Sequence, residues 1–317
     1  MKKLALAALS GALLMGASVL PASAVTVGVS MALFDDNFLT VLRNGIQKYG
    51  DDNGITVQIE DAKNDVAKQL DQINNFVASG VDAIIVNPVD TSATQAMSDA
   101  AAKAKIPLVY VNRQPINLDT LPDNQAFVAS NEVDSGTLET KEICRLLKEA
   151  GKTEANAYII MGELSNQAAV QRTLDIHDVI GGPVCGVKIN IIDKQTSNWR
   201  RDEAQNLMTN WLSTGTAFDA VIANNDESAI GAIQAMKAGG IDMKAVLVGG
   251  VDATQDALAA MQAGDLDVTV FQNAAAQGSG SVDAAVKLAK GEAVEQKVWV
   301  PFELVTPANI ADYLKKN

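Results

Sequence analysis

Short runs of β-branched and other apolar residues alternate along this chain with longer stretches in which apolar positions recur every three or four residues. Val25–Ser30 reads as a strand and Phe38–Asp52 as an amphipathic helix. Thr56–Glu60 is a strand, and Val66–Ser79 a helix with Leu70, Ile73, Phe76 and Val77 on one face. Ala83–Asn87, Leu108–Asn112 and Phe127–Ser130 follow as strands, with Ala93–Ala104 as an intervening helix. Runs such as Ala83-Ile84-Ile85-Val86 carry no polar residue on either side of the pleat, so both faces need cover. Strand–helix–strand order then makes the sheets parallel, with right-handed crossovers.

The rhythm restarts after Ser130. Gly136–Ala150, Ala168–Ile180, Arg201–Leu212, Ala229–Ala238, Gln255–Gln262 and Ala275–Lys290 read as helices. Ala157–Met161, Val187–Asp193, Ala220–Ala223, Ala245–Gly249 and Asp267–Phe271 read as strands, and Trp299–Leu304 as one last extended piece. The count predicts an α/β protein of two doubly wound, parallel-sheet lobes. One internal match supports a duplicated lobe: Val81-Asp82-Ala83-Ile84-Ile85-Val86-Asn87 parallels Phe218-Asp219-Ala220-Val221-Ile222-Ala223-Asn224. Each run ends in Asn and leads through a polar turn into an Ala-rich helix. The next strand ends in Asn112-Arg113 in one half and in Asp252 in the other. Ligands of open α/β sheets sit at the carboxyl ends of strands, so facing lobes would set these residues across one cleft.

The first 24 residues change the setting. Lys2 and Lys3 precede an apolar stretch, Leu4–Leu20, and Pro21-Ala22-Ser23-Ala24 has the small residues of a cleavage site. This pattern predicts a secretory leader cut after Ala24 and a periplasmic protein of about 290 residues. The apolar stretch is short for a membrane anchor, and no Cys follows it for a lipid. Without Lys2 and Lys3 the net charge moves from −13 to −15. That surface repels phosphate backbones, which argues against a nucleic-acid partner. Cys144 and Cys185 are the two cysteines. In an exported chain they suit either one disulfide or two buried thiols, and spacing leaves both open.

Catalytic patterns are absent. There is no G-x-S-x-G elbow, Walker loop or H-E-x-x-H. The single histidine, His177, leaves no triad and no zinc set, so neither metal nor cofactor is expected. Gly278-Ser279-Gly280-Ser281 lies within a helical pattern and reads as close helix packing. The strand-end amides, acids and arginine suit a small neutral polyol instead. Their side chains meet vicinal hydroxyls two at a time, and a guanidinium fork spans two ring oxygens. Phe38 and Trp199 could cover the C–H faces of such a ring, or could equally be core. Each strand-end Asn could also be a helix cap or Asx-turn.

Taken in order, Phe34-Asp35-Asp36-Asn37-Phe38, Asn87-Pro88-Val89-Asp90, Asn112-Arg113-Gln114, Asn225-Asp226-Glu227, Gly250-Val251-Asp252 and Gln272 resemble the periplasmic sugar-binding proteins of the ribose-binding type. The resemblance spans essentially the whole chain after the leader. It implies a type I periplasmic-binding-protein fold whose lobes are joined by a three-crossover hinge, near Ser130–Asn131, Gln272–Asn273 and Pro301–Phe302. The lobes would then be 25–130 with 273–301, and 131–272 with 302–317. It implies a monomer that delivers its ligand to an ABC permease, with a chemoreceptor as a further partner. By position, Phe38 and Trp199 would sandwich the ring, while Asp36, Asn87, Asn112, Arg113, Asn225, Asp252 and Gln272 would bond its hydroxyls. Arg113 would also pair with Asp252.

Three departures count against ribose. Asn112 stands where ribose binders carry Asp, Val170 stands where they carry Arg, and Asp36 stands where many carry Asn. Arg172, two residues beyond Val170, is the candidate replacement. Phe34–Phe38, Val111–Pro115 and Gln167–Arg172 resemble the inositol- and rhizopine-binding branch most. The expected ligand is therefore a cyclic polyol, myo-inositol or a rhizopine-like derivative, with a pentose or hexose as the alternative. A transcription regulator of the lac-repressor type shares the fold but would need an N-terminal helix-turn-helix where this chain has a leader. An exported carbohydrate-active enzyme would need a carboxylate pair, for which Asp36 and Asp252 are the candidates.

Overall fold

The computed structural model describes residues 24–316. The leader expected over residues 1–24 lies, Ala24 apart, outside the described residues. The first half runs β1 (Thr26–Met31), α1 (Asn37–Asn53), β2 (Thr56–Asp61), α2 (Val66–Ser79), β3 (Ala83–Val86), α3 (Thr94–Ala104), β4 (Leu108–Val111) and β5 (Gln125–Ala129). The second runs α4 (Glu132–Glu149), β6 (Glu154–Met161), α5 (Gln167–Gly181), β7 (Lys188–Thr196), α6 (Arg201–Leu212), β8 (Ala220–Ala223), α7 (Asp226–Ala238), β9 (Leu247–Gly249), α8 (Gln255–Ala263) and β10 (Thr269–Phe271). Then come α9 (Ala274–Ala289), β11 (Lys297–Trp299) and β12 (Glu303–Val305).

Two lobes result. The first holds a six-stranded parallel sheet in the order β2-β1-β3-β4-β5-β11. The second holds a parallel sheet β7-β6-β8-β9. Single bridges, Gly249 to Val268 and Asp252 to Phe271, carry it on to β10, which pairs antiparallel with β12.

The unbroken apolar runs are buried on both sides. In β3, Ala83 and Ile85 point into a core made with α1 and α9, while Ile84 and Val86 point into a core made with α2 and α3. In β8, Val221 and Ala223 meet α6, α7 and α8, and Ala220 and Ile222 meet α4 and α5. Removing a side chain the size of Ile84 or Ile85 from water contributes about 1.5–3 kcal/mol. Gly278 of α9 packs on α1: an added Cβ would stand 2.7 Å from the Leu42 carbonyl. Helix ends follow local chemistry. Asp36 and Asp65 cap α1 and α2, and Gly54 and Gly80 end them in the left-handed conformation.

Cys144 of α4 and Cys185 form a disulfide in the α4–α5 core, with Cα atoms 5.0 Å apart, which resolves the pair the sequence leaves open. His177 lies at the surface, its Nε2 3.1 Å from Lys194 Nζ.

Two sequence expectations are corrected. The last extended piece is not one strand: β11 joins the first sheet and β12 the second, with the break at Pro301, which has no N–H for a ladder. Helix α4 begins one turn before Gly136, at Glu132. Its one apolar residue, Val133, is exposed, and the other three are acidic or polar, so apolar periodicity does not reveal that turn. The chain thus passes from one sheet to the other between Ala129 and Glu132, returns after Phe271, and passes again between Trp299 and Glu303.

Candidate functional site

Residues at the carboxyl ends of both sheets line one shared cavity. From the first lobe come Asp36, Phe38 and Leu39, where β1 leads into α1, and Asn112 and Arg113, beyond β4. From the second come Glu132, Asn166, Ala168 and Arg172, together with Trp199, Asn225, Asp252 and Gln272. The described residues hold no group of His, Cys, Asp or Glu suited to a metal ion. The cavity opens into a vestibule lined by Asn37, Asn64, Glu163, Arg201 and Glu227 among others.

Several of these residues serve the fold and the cavity together. Asp36 Oδ1 accepts the Leu39 N–H at 2.7 Å, and Asn225 Oδ1 accepts the Ser228 N–H at 3.1 Å, so both cap the helices they precede. A strand that ends at the cleft must turn into its helix there, so cap and cleft residue coincide. Asn112, Trp199 and Asp252 have φ of 67°, 66° and 120°. Such angles cost a residue with a Cβ about 1–3 kcal/mol, and three of them line one cavity.

Trp199 is fixed from two sides. An added Cβ at Gly162 would stand 2.2 Å from its ring, so only glycine lets the indole lie over the end of β6. Its Nε1 donates to Asn166 Oδ1 at 3.1 Å, and its carbonyl accepts from Asn225 Nδ2 at 3.3 Å. Arg172 lies beneath: its guanidinium carbon is 5.6 Å from the Trp199 ring and 5.9 Å from that of Phe302.

The charges are mostly buried. Arg172 binds Glu132 through both Nε (2.7 Å) and Nη2 (3.1 Å), while Nη1 donates to the Asn224 carbonyl at 2.7 Å. The same Nη1 lies 3.9 Å from Asp252 Oδ1. The cation beside Asp252 is therefore Arg172, not Arg113. Arg113 lines the same cavity, and its Nη1 donates to the Pro88 carbonyl of its own lobe at 2.9 Å. Burial holds the Asp252 carboxyl well above the usual carboxylate range, against the pull of Arg172, and the nearby acids Asp226, Asp36 and Glu132 push it further. Burial likewise raises Asp36, which the Leu39 N–H and Arg113 oppose. Burial lowers Arg113, against Glu163 and Asp36.

Of the residues singled out from sequence, Asp36, Phe38, Asn112, Arg113, Arg172, Trp199, Asn225, Asp252 and Gln272 meet at this cavity. Asn87 does not. It is fully buried behind the wall, where its Oδ1 accepts from the Ala32 N–H at 3.4 Å and its Nδ2 donates to Asn112 Oδ1 at 3.2 Å. Its repeat partner explains the placement: Asn224 Oδ1 accepts from the Gly162 N–H at 3.0 Å. Each asparagine ties the end of its own strand to the end of the neighbouring first strand of its lobe. Sequence reasoning missed Leu39, Glu132, Asn166 and Ala168. The signal for Asn166 is its place between strand and helix, the position that singled out Asn225.

The lobes touch around the cavity through polar groups. Asn166 Nδ2 donates to the Val89 carbonyl at 3.0 Å, and Thr91 N–H to the Ser165 carbonyl at 3.1 Å. Gln167 N–H donates to Thr91 Oγ1 at 3.2 Å. Asn37 Nδ2 reaches Glu227 at 2.8 Å, and Asn64 Nδ2 reaches Glu163 at 3.2 Å. Amides and carboxylates thus surround a small space walled in part by two aromatic rings, an arrangement suited to holding a polar ring.

Known proteins share this build. Residues 27–293 match the family model described as a periplasmic binding protein domain. A protein of Rhizobium meliloti named "Putative rhizopine-binding protein" is 64% identical over 297 residues, 93% of this chain and 94% of the relative. An ABC transporter solute binding protein from Bacillus halodurans, solved with bound myo-inositol, superposes with a TM-score of 0.86 at 38% identity, covering 94% of this chain and 100% of that one. A Caulobacter myo-inositol binding protein bound to myo-inositol gives 0.81 at 26% identity, covering 93% and 97%. With its two-lobed parallel-sheet fold and its cleft at the strand ends, this chain belongs to the periplasmic binding protein family.

Proposed function

We propose that this chain is the exported solute-binding component of an ABC importer and that it captures a cyclic polyol, myo-inositol or an aminated, rhizopine-like inositol, between its lobes. The observation that carries this reading is the meeting of residues from both lobes in one small cavity rich in hydrogen-bonding side chains. The ligands named for its relatives support the ligand class. Phe38 and Trp199 would cover the ring, and Asp36, Asn112, Arg113, Asn225, Asp252 and Gln272 would meet its rim, joined by Asn166. Arg172 would act from beneath, since Glu132 already occupies its fork.

The lobes would be 25–130 with 273–301, and 131–272 with 302–317, and would rotate about the three crossings of the chain. Ligand that touches both lobes favours the closed state by its extra contacts there. Closed lobes would be delivered to a membrane permease. Mature protein tested with inositols, an amino-inositol, pentoses and hexoses should show a rise in melting temperature with cyclitols and little with ribose. A larger rise with a pentose would reverse the ligand assignment, and turnover of a glycoside would point to an enzyme.

A further inference from the structure

The walls of the cavity carry three carboxylates, Asp36, Glu132 and Asp252, and two guanidiniums, Arg113 and Arg172. Glu132 takes two nitrogens of Arg172, and Asp252 shares that same guanidinium from 3.9 Å. Across the cleft Arg113 stands near Asp36, and Glu163 draws on it as well. One negative charge is left over. Two of those acids, Glu132 on α4 and Asp36 from the opposite lobe, act on Asp252, and Asp226 on α7 is a further acid beyond the three that line the cavity. Glu139, also on α4 and close to Arg172, is acidic too.

Not all of these acids respond to the lobes. Glu139 and Asp226 are fully buried inside the second lobe and do not line the cavity, so closure leaves their surroundings unchanged. Asp36 and Asp252 belong to different lobes. Parting the lobes would hydrate both and separate them, whereas closure brings two like charges together in a site of low dielectric. A neutral polyol offers hydroxyl donors but no charge to balance the surplus.

We propose that closure around a neutral cyclic polyol takes up a proton at the facing Asp36 and Asp252 carboxylates, which makes binding pH-linked. The inference rests on the two-lobe capture reading above. The bound form then holds more protons than the free form, so affinity falls as pH rises through the bound-state titration. A ring bearing an ammonium group cancels the surplus itself and needs no proton.

Calorimetry with myo-inositol at several pH values between 6 and 8, in buffers of different ionisation heat, tests this. The observed heat should vary with the buffer by the uptake of up to about one proton per site, and Kd should rise by as much as about tenfold per pH unit. Asp252→Asn or Asp36→Asn should flatten both trends, and a protonated amino-inositol should bind with little buffer dependence. Binding whose heat and Kd ignore buffer and pH overturns the proton linkage and leaves the capture reading intact. No heat with any cyclitol overturns both.

Discussion

Trp199 and Asn166 hold one another at the seam between the lobes. The indole Nε1 donates to Asn166 Oδ1 at 3.1 Å, and the same amide's Nδ2 donates to the Val89 carbonyl of the other lobe at 3.0 Å. One side chain therefore orients an aromatic wall and fastens the first lobe to the second.

Asn166→Ala removes both bonds and leaves a partly buried indole N–H and the buried Val89 carbonyl without that partner in the closed form. The loss should be about 1–3 kcal/mol of binding, or roughly 5- to 150-fold in Kd for myo-inositol by calorimetry. The melting temperature of ligand-free protein should move little, because the Val89 bond joins lobes rather than building either core. An unchanged Kd would remove Asn166 from the site.

Asp36→Asn keeps a side-chain oxygen for the Leu39 N–H, so the cap on α1 survives and the charge alone is lost. Affinity for an amino-inositol should fall more than affinity for myo-inositol, since only the former loses an ion pair. Equal losses for the two ligands, compared at one pH, would show that Asp36 does not meet an amine.

Asp175 of α5 tests the second lobe apart from the cavity, which it does not line. Burial pushes its carboxyl up to about 7, and Glu132 and Asp178 add to the rise, while Gln171 and Arg172 oppose it. A carboxyl that titrates higher in the fold than in the unfolded chain holds more protons when folded. Its contribution to stability therefore falls as pH rises from about 4 to about 7 and stays low above that. Asp175→Asn carries no such penalty. Thermal unfolding should show the variant gaining a few degrees over the parent at pH 8 and a clearly smaller gain at pH 4.5, with ligand affinity unaltered.

The fold is legible where burial is continuous. Ala83–Val86 and Ala220–Ala223 leave little room for another reading, because four apolar residues in a row between turns have few other uses. The cavity is legible where chain geometry forces polar residues to the strand ends, as at Asn112, Asn225 and Asp252. Glu132 was hidden because the first turn of its helix buries no apolar residue, and its pairing with Arg172, a residue the sequence did single out, shows only in three dimensions. Asn87 misled because a strand-end amide can bond either to a ligand or to the adjoining strand. The bond from its repeat partner Asn224 to Gly162 shows which of these the fold requires. The Asp252 pairing misled because two arginines lay within reach of the expectation and only packing chose between them.

The polar character of the seam has a mechanical consequence. Its direct bonds run between amides, hydroxyls, carbonyls and carboxylates that water can satisfy almost as well. Such a seam acts as a weak clasp rather than a weld. The guest itself must supply the margin that keeps the jaws shut, and a jaw that grips only when loaded can also let go when something else pulls the halves apart.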